Sequence, residues 1–327
     1  MNYYMLPLVG SFFYICIMRF LLLLLFIFFS LLSRSQDDIV KSVMLDSVMV
    51  SAVSSGFSVE EFIHYVKTDT TFYQGFKNLR YYSHQFQSEL EIFDRSNKSI
   101  GFLTRYGHYE VNDNRLVVHV ESEKNDGKIY NRRGKYRHYT PEFFDYIFFP
   151  KDTLNVSKFK SNDDDIDSND SNKKNENDAK VIIFNPGSVE VDRSGSKKEK
   201  LAVFDISMQK YYDYIISKTI YRDSLECYEF VCRMKNNLTE KEQDEVLIRE
   251  LVSYFDRNTF NVVYRKYVMK YDYWLIDLNV TVKVEMGYIQ KQLIPLKIHY
   301  NGFWDTPFNK PEIADFKLTN YNFDIKE

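Results

Sequence analysis

Residues 278–286 read Leu-Asn-Val-Thr-Val-Lys-Val-Glu-Met. Leu278, Val280, Val282, Val284 and Met286 alternate there with Asn279, Thr281, Lys283 and Glu285. Successive side chains of a strand point to opposite faces, so this period of two builds one dry face and one wet face. The pattern extends outward in both directions. Downstream, Ile294, Leu296, Ile298 and Tyr300 stand opposite Lys297 and His299, and residues 315–323 form a last strand. Upstream, residues 246–255 and 260–274 flank the turn Asp256-Arg257-Asn258-Thr259. A polar excursion at 236–245 and strands at 227–234, 211–221 and 201–204 precede them. Earlier still, Tyr82, His84, Phe86, Ser88, Leu90 and Ile92 alternate with Ser83, Gln85, Gln87, Glu89 and Glu91. A turn at 94–98 leads into a return strand at 100–111. Asp113-Asn114 turns into 116–120, and Asn125-Asp126-Gly127 turns into a strand at 128–136.

Strands of ten or more residues are unusual in compact sandwiches. The sequence therefore predicts an α+β, mainly antiparallel β domain built on a single curved sheet, an incomplete barrel. An apolar sheet face needs a cover, and two helical regions supply apolar stripes. Ser58 and Glu61 have capping-box spacing before Phe62, Ile63, Tyr65 and Val66, and Thr70 or Thr71 caps a second short helix through Phe72, Phe76 and Leu79. Thr140-Pro141-Glu142 starts a mid-chain helix with proline in its first turn, leading into Phe143, Phe144, Ile147 and Phe148. Residues 157–180, SKFKSNDDDIDSNDSNKKNENDAK, hold almost no apolar side chains and are expected to be a disordered insertion. The domain is expected over 58–323, after a polar lead-in at 36–57 and before a tail at 324–327.

Composition excludes several classes. The chain has 327 residues, 43 basic and 46 acidic, with 11 Gly, 7 Pro and 3 Cys. That is neither collagen-like nor a disulfide scaffold, and a mean hydropathy of −0.40 excludes a polytopic membrane protein. The balanced charge argues against a nucleic-acid partner, which calls for a basic face or tail. Phe (27) and Tyr (26) are abundant while alanine occurs only at Ala52, Ala179, Ala202 and Ala314. Codon bias in an A+T-rich genome explains the bulk of this, and the consequence is a chain suited to pleated strands rather than helices.

The amino terminus reads as an address. Arg19 precedes the apolar run FLLLLLFIFFSLL at 20–32, and Ser33-Arg34-Ser35 places small residues at the −3 and −1 positions of a cleavage site before Gln36. Residues 1–35 are thus expected to be a signal peptide, with translation starting at Met1 or at Met18. The alternative is an uncleaved anchor that keeps the protein close to a membrane, since the apolar stretch is long enough to span a bilayer. Either way the body is exported, to the periplasm or cell envelope or beyond. Cleavage removes Arg19 and Arg34 and no acid, moving the formal charge from −3 to −5. Cys227 and Cys232 then remain. Five strand steps of ~3.3 Å separate them, too far for a disulfide, so two reduced thiols are expected.

No GxSxG, P-loop, GxGxxG, HExxH or Cys/His constellation occurs, and neither an enzyme activity nor a cofactor or metal is expected. The six histidines read as packed or exposed side chains, the alternative being that His84 and His119 come together on neighbouring strands. Arg132-Arg133-Gly134-Lys135-Tyr136-Arg137 is a basic cluster that reads as a solvated hairpin or a contact for anionic headgroups. Trp274 and Trp304 flank apolar strands as core or rim anchors. Asp-Ser/Thr-apolar triplets at Ser47, Thr70, Thr153 and Ser224 resemble the O-glycosylation sites of Bacteroidota, and Asn97, Asn155, Asn169, Asn237 and Asn279 stand in sequons that matter only in a eukaryote.

The order of elements, with LAVFD at 201–205 and IHYNGFWD at 298–305, resembles periplasmic lipoprotein carriers of the LolA and LolB type and related envelope proteins of Bacteroidota, over residues 56–323. The resemblance implies a half-barrel whose concave apolar face, under helices, holds acyl chains of a lipid or lipoprotein. Phe86, Leu90, Val280, Val282, Trp274 and Trp304 are the candidates for that face and its rim, in a protein expected to be a monomer. The competing reading is a surface structural or interaction module with a filled core and no ligand.

Overall fold

The computed structural model describes residues 69–156, 203–204, 206–273, 276–306 and 309–325, all within one compact unit, Ser51–Glu327. The expected signal peptide, the lead-in, the helix beginning at Ser58 and the insertion at 157–180 lie outside the described residues.

Helix α1 (Thr71–Leu79) is followed by strands β1 (His84–Phe93), β2 (Ser99–Asn112) and β3 (Arg115–Gly127), helix α2 (Tyr139–Phe148) and the short β4 (Leu154–Asn155). Helix α3 (Ile206–Gln209), β5 (Tyr212–Tyr221), β6 (Leu225–Met234) and α4 (Glu240–Gln243) come next. Strands β7 (Ile248–Asp256), β8 (Val262–Tyr273), β9 (Ile276–Ile289), β10 (Gln292–Thr306) and β11 (Asn309–Tyr321) complete the order. All eleven strands belong to one curved, unclosed sheet in the order β4-β3-β2-β1-β11-β10-β9-β8-β7-β6-β5. Every pairing is antiparallel. The sheet is two meanders joined where β1 pairs with β11, so the first and last long strands lie side by side in its interior.

The alternation that predicts these strands matches their burial. In β1, His84, Phe86, Ser88, Leu90 and Ile92 are buried while Gln85 is exposed and Glu89 and Glu91 are half-buried. In β9, Val280, Val282, Val284 and Met286 are buried. We call the side carrying these residues, on which α1 and α2 lie, the inner face.

Three expectations need correction. Residues 128–136 are not a strand: β3 runs through Asn125-Asp126-Gly127, because the 14-residue β2 pairs with it as far as Gly101↔Gly127. The left-handed Gly127 (φ 71°) ends the strand rather than turning a hairpin, and the chain then loops back through a single bridge, Tyr130↔Tyr136. Val203 and Phe204 lie in a turn before α3, with Phe204 packed on Tyr214 of β5 and Phe230 of β6, so they lie against the sheet instead of extending it. Leu296 leaves the apolar row because a bulge between Pro295 and Lys297 inserts it as an extra residue; Leu293 and Ile294 are buried instead. Proline has no N–H for the ladder, which suits it to such a bulge. His84 is packed, in line with the leading reading of the histidines: it stacks between Tyr109 (4.4 Å) and Phe323 (5.0 Å) and does not meet His119.

Cys227 and Cys232 are buried free thiols, as expected. Burial pushes Cys227 up to about 11 and Cys232 well above the usual thiol range, so both stay protonated and inert.

Candidate functional site

The inner face is covered in two places. Over β8 and β10 lies α1, whose Phe72 is 1% exposed. Gly75 is required here by close approach: an added Cβ would strike the end of Met286 and sit 3.3 Å from the Leu293 carbonyl oxygen. Asn78 donates to that same carbonyl at 3.0 Å. At the start of the helix Asp69 accepts from the Thr71 N–H at 2.9 Å and pairs with Arg265 of β8 at 3.3 Å. Arg265 also donates to Ser253 at 3.0 Å and lies over the Phe72 ring at 4.4 Å. Burial pulls the Arg265 guanidinium below its ordinary range, and Asp69 opposes that pull.

Over β1, β2 and β11 lies α2, and its cover is aromatic. Phe144 stacks on Phe316 at 4.2 Å and meets Tyr300 edge-on at 5.0 Å, Phe148 stacks on Phe316 at 5.6 Å, and Phe149 tilts against Phe86 at 4.9 Å. Each end of the helix is tied to the sheet. Glu312 of β11 accepts from the N–H groups of Tyr139 (2.6 Å) and Thr140 (3.0 Å), satisfying donors that a helix start leaves free. Tyr109 of β2 donates to the Phe148 carbonyl at 2.6 Å. Burial raises the Glu312 carboxyl, but His138 and the Thr140 and Tyr139 N–H groups outweigh it and hold the group below its ordinary range.

Between these ties sits a polar clasp. Arg105 of β2, 6% exposed, pairs with Asp145 of α2 and with Glu123 of β3 at 2.7 Å. It also donates to the hydroxyls of Tyr136 (2.6 Å) and Tyr130 (3.1 Å) from the returning loop. Tyr136 in turn donates to Asp145, and Tyr130 donates to Glu123 at 2.9 Å. Burial works against the charge on Arg105, yet Asp145 and Tyr136 more than reverse it and hold the guanidinium more firmly protonated than usual. The expected basic cluster is this loop: Tyr136 turns inward to the clasp while Arg132, Arg133, Lys135 and Arg137 are exposed.

Beneath the clasp is a void of about 10 Å³ lined by Ser88, Leu90, Leu103, Arg105, Phe144, Asp145, Phe149 and Phe316. That is room for about one water and not for an acyl chain.

The structure brings Phe86 (0% exposed) and Leu90 (3%) together under α2. Val280 and Val282 are buried further along the same face. Trp304 is half-buried and donates its indole N–H to Tyr300, which occupies the space that a side chain at Gly302 would fill. Trp274 and Ser47 lie outside the described residues; Thr70, Thr153 and Ser224 are exposed. Sequence reasoning missed Arg105 and Glu312. Their signal was a charge at a position where the period of two demands an apolar side chain, as at Glu312, in register with Ala314, Phe316 and Leu318.

No protein-family model matches the chain, and no curated protein matches it. Solved structures do align. An outer membrane lipoprotein-sorting protein domain from Vibrio parahaemolyticus aligns at 7% identity and a TM-score of 0.24, over 77% of this chain and 91% of the other. A LolA superfamily protein from Nitrosomonas europaea aligns at 8% and 0.24, over 79% and 93%. A DUF1329 family protein from Desulfovibrio piger aligns at 10% and 0.23, over 76% and 88%. Scores this low transfer no residue, ligand or activity; the half-barrel assignment rests on the eleven antiparallel strands themselves.

Proposed function

We propose that this chain is an exported, non-enzymatic envelope protein that shelters a lipid or lipoprotein acyl chain between its curved sheet and α2. One observation carries the reading: an aromatic cover is fastened to an apolar face by charged groups. Unlike the fully buried Asp69–Arg265 pair that pins α1, this clasp stands at a wet margin, where its acids can exchange the arginine for water. Polar fastening leaves room for an open form in which Asp145 and Glu123, already partly exposed (17% and 31%), take up water. Lifting α2 would bare Phe86, Leu90, Leu103 and Phe316 as a greasy trough beside the exposed cations of 132–137, which suit anionic headgroups. Export follows from the expected signal peptide, and exposed Thr70, Thr153 and Ser224 are accessible to an O-glycosylating enzyme.

The burial of the face residues and the one-water void favour the competing reading, a filled core without ligand. Two measurements separate them. Native mass spectrometry of the chain purified from its membrane fraction should show co-purifying lipid, and a fluorescent fatty acid should bind saturably and shift the emission of a Phe144→Trp reporter. A lipid-free mass together with no uptake by the folded protein overturns the acyl reading in favour of the filled core.

A further inference from the structure

On the outer face of the β2–β3 hairpin a second cluster of side chains has no part in the acyl reading. Asp113 (φ 47°) and Asn114 (φ 62°) form a two-residue left-handed turn, and the register that follows places His108 directly opposite His119. Each strand carries the same short pattern, His108-Tyr109-Glu110 and His119-Val120-Glu121. Residues two apart share a strand face, so each histidine has a carboxylate beside it. The bulge between Tyr106 and Gly107 makes Glu121 the extra residue of β3 and brings it alongside His108.

The rings stack at 4.6 Å with planes 20° apart. His108 Nδ1 lies 2.7 Å from Glu121 Oε1, and His119 Nε2 lies 2.9 Å from Glu110 Oε2. One ligand atom each from His108, Glu110 and His119 lie within 4.8 Å of one another. A tetrahedral site with bonds of ~2.0–2.1 Å needs ligand atoms about 3.3 Å apart. These side chains are 38–53% exposed, so they can turn inward without disturbing the core. Glu110 also borders an open recess of about 380 Å³ with Asn112, Asp113, Arg115 and Val117, giving the cluster access from solvent.

We propose that this cluster is a binding site for a divalent transition-metal ion, with His108, His119 and Glu110 as ligands and Glu121 orienting the His108 ring. Imidazole with carboxylate suits Zn²⁺ or Cu²⁺, whereas Mg²⁺ and Ca²⁺ prefer all-oxygen sites. A carboxylate behind a ligating ring fixes its tautomer and strengthens it as a donor. The ion would also join β2 to β3 near the outer end of the sheet. The site is independent of the acyl chain, since its residues face away from α2.

Titration of the full chain with Zn²⁺ against a competing chromogenic chelator, with Mg²⁺ as control, tests the site. One equivalent should bind, and His108→Ala and His119→Ala should each weaken it by about tenfold or more, with Glu121→Gln losing less. These exposed positions leave the circular dichroism spectrum unchanged, which separates lost ligands from lost fold. Absence of saturable Zn²⁺ binding, or a His108→Ala/His119→Ala protein that binds as tightly as the parent, overturns the proposal.

Discussion

Helices α1 and α2 lie on the same face of one sheet, and each is pinned by a buried arginine pairing with an aspartate, yet the two pins are electrostatic opposites. Around Arg265 desolvation wins and the guanidinium is held below its ordinary range; around Arg105 the acids win and it is held above. The difference lies in the partners. Arg265 has one carboxylate, Asp69, itself 4% exposed, while Arg105 has two that still reach water and two tyrosine hydroxyls. The α1 pin is a closed, costly contact that cannot exchange its partners for solvent. The α2 clasp is a satisfied network at a wet margin, and it can. In the acyl reading this makes α1 the fixed cover and α2 the moving one.

The sharpest way to break that contrast is to remove each arginine. Arg265→Leu strands Asp69 without a counter-charge and is expected to lower stability by about 3–5 kcal/mol, read from denaturant unfolding. Replacing both partners, Asp69→Asn with Arg265→Met, should restore most of that loss, because a neutral pair buries no charge and the asparagine oxygen still accepts from the Thr71 N–H. Arg105→Leu should cost less, about 2–3 kcal/mol, since Asp145 and Glu123 can rehydrate. It should also raise the rate of fluorescent fatty-acid uptake, while Arg265→Leu leaves that rate unchanged. Equal destabilisation by both, or faster uptake in the Arg265 variant, would erase the distinction between fixed and moving covers.

The sheet was legible because burial on one face writes itself into the sequence with period two, as in 84–92 and 278–286. What escaped had other causes. The Asn125-Asp126-Gly127 triplet carries turn chemistry, but the length of the partner strand decided its fate. The bulge at Leu296 is a backbone event that composition does not record beyond the proline before it. The site was harder still. Arg105 and Asp145 are 40 residues apart in sequence and Glu312 lies more than 160 beyond Asp145, so only tertiary structure joins them. The outer histidine cluster lies nearer to the surface of the text: Asp113-Asn114 reads as a turn, and counting back from it pairs His108 with His119.

The smallest expected effect concerns the tie at the amino end of α2. Glu312→Gln keeps the shape but loses the charge that faces two helix N–H groups, and should lower stability at neutral pH by about 1–2 kcal/mol. The pH dependence gives a finer test. Because the folded carboxyl is held below its ordinary 4.5, its contribution is complete above that value and is lost as pH falls through the lower folded value. His84 adds a separate step: burial lowers it from 6.5 to about 4, so the unfolded chain takes up its proton first and stability falls between those values. Unfolding curves collected from pH 7 to pH 3 in a His84→Phe background remove that step. The remaining loss below about pH 4.5 should then be smaller in Glu312→Gln than in its parent. An unchanged acid limb would mean that Glu312 does not hold α2 by charge, leaving the Arg105 clasp as the charged tie between that helix and the sheet.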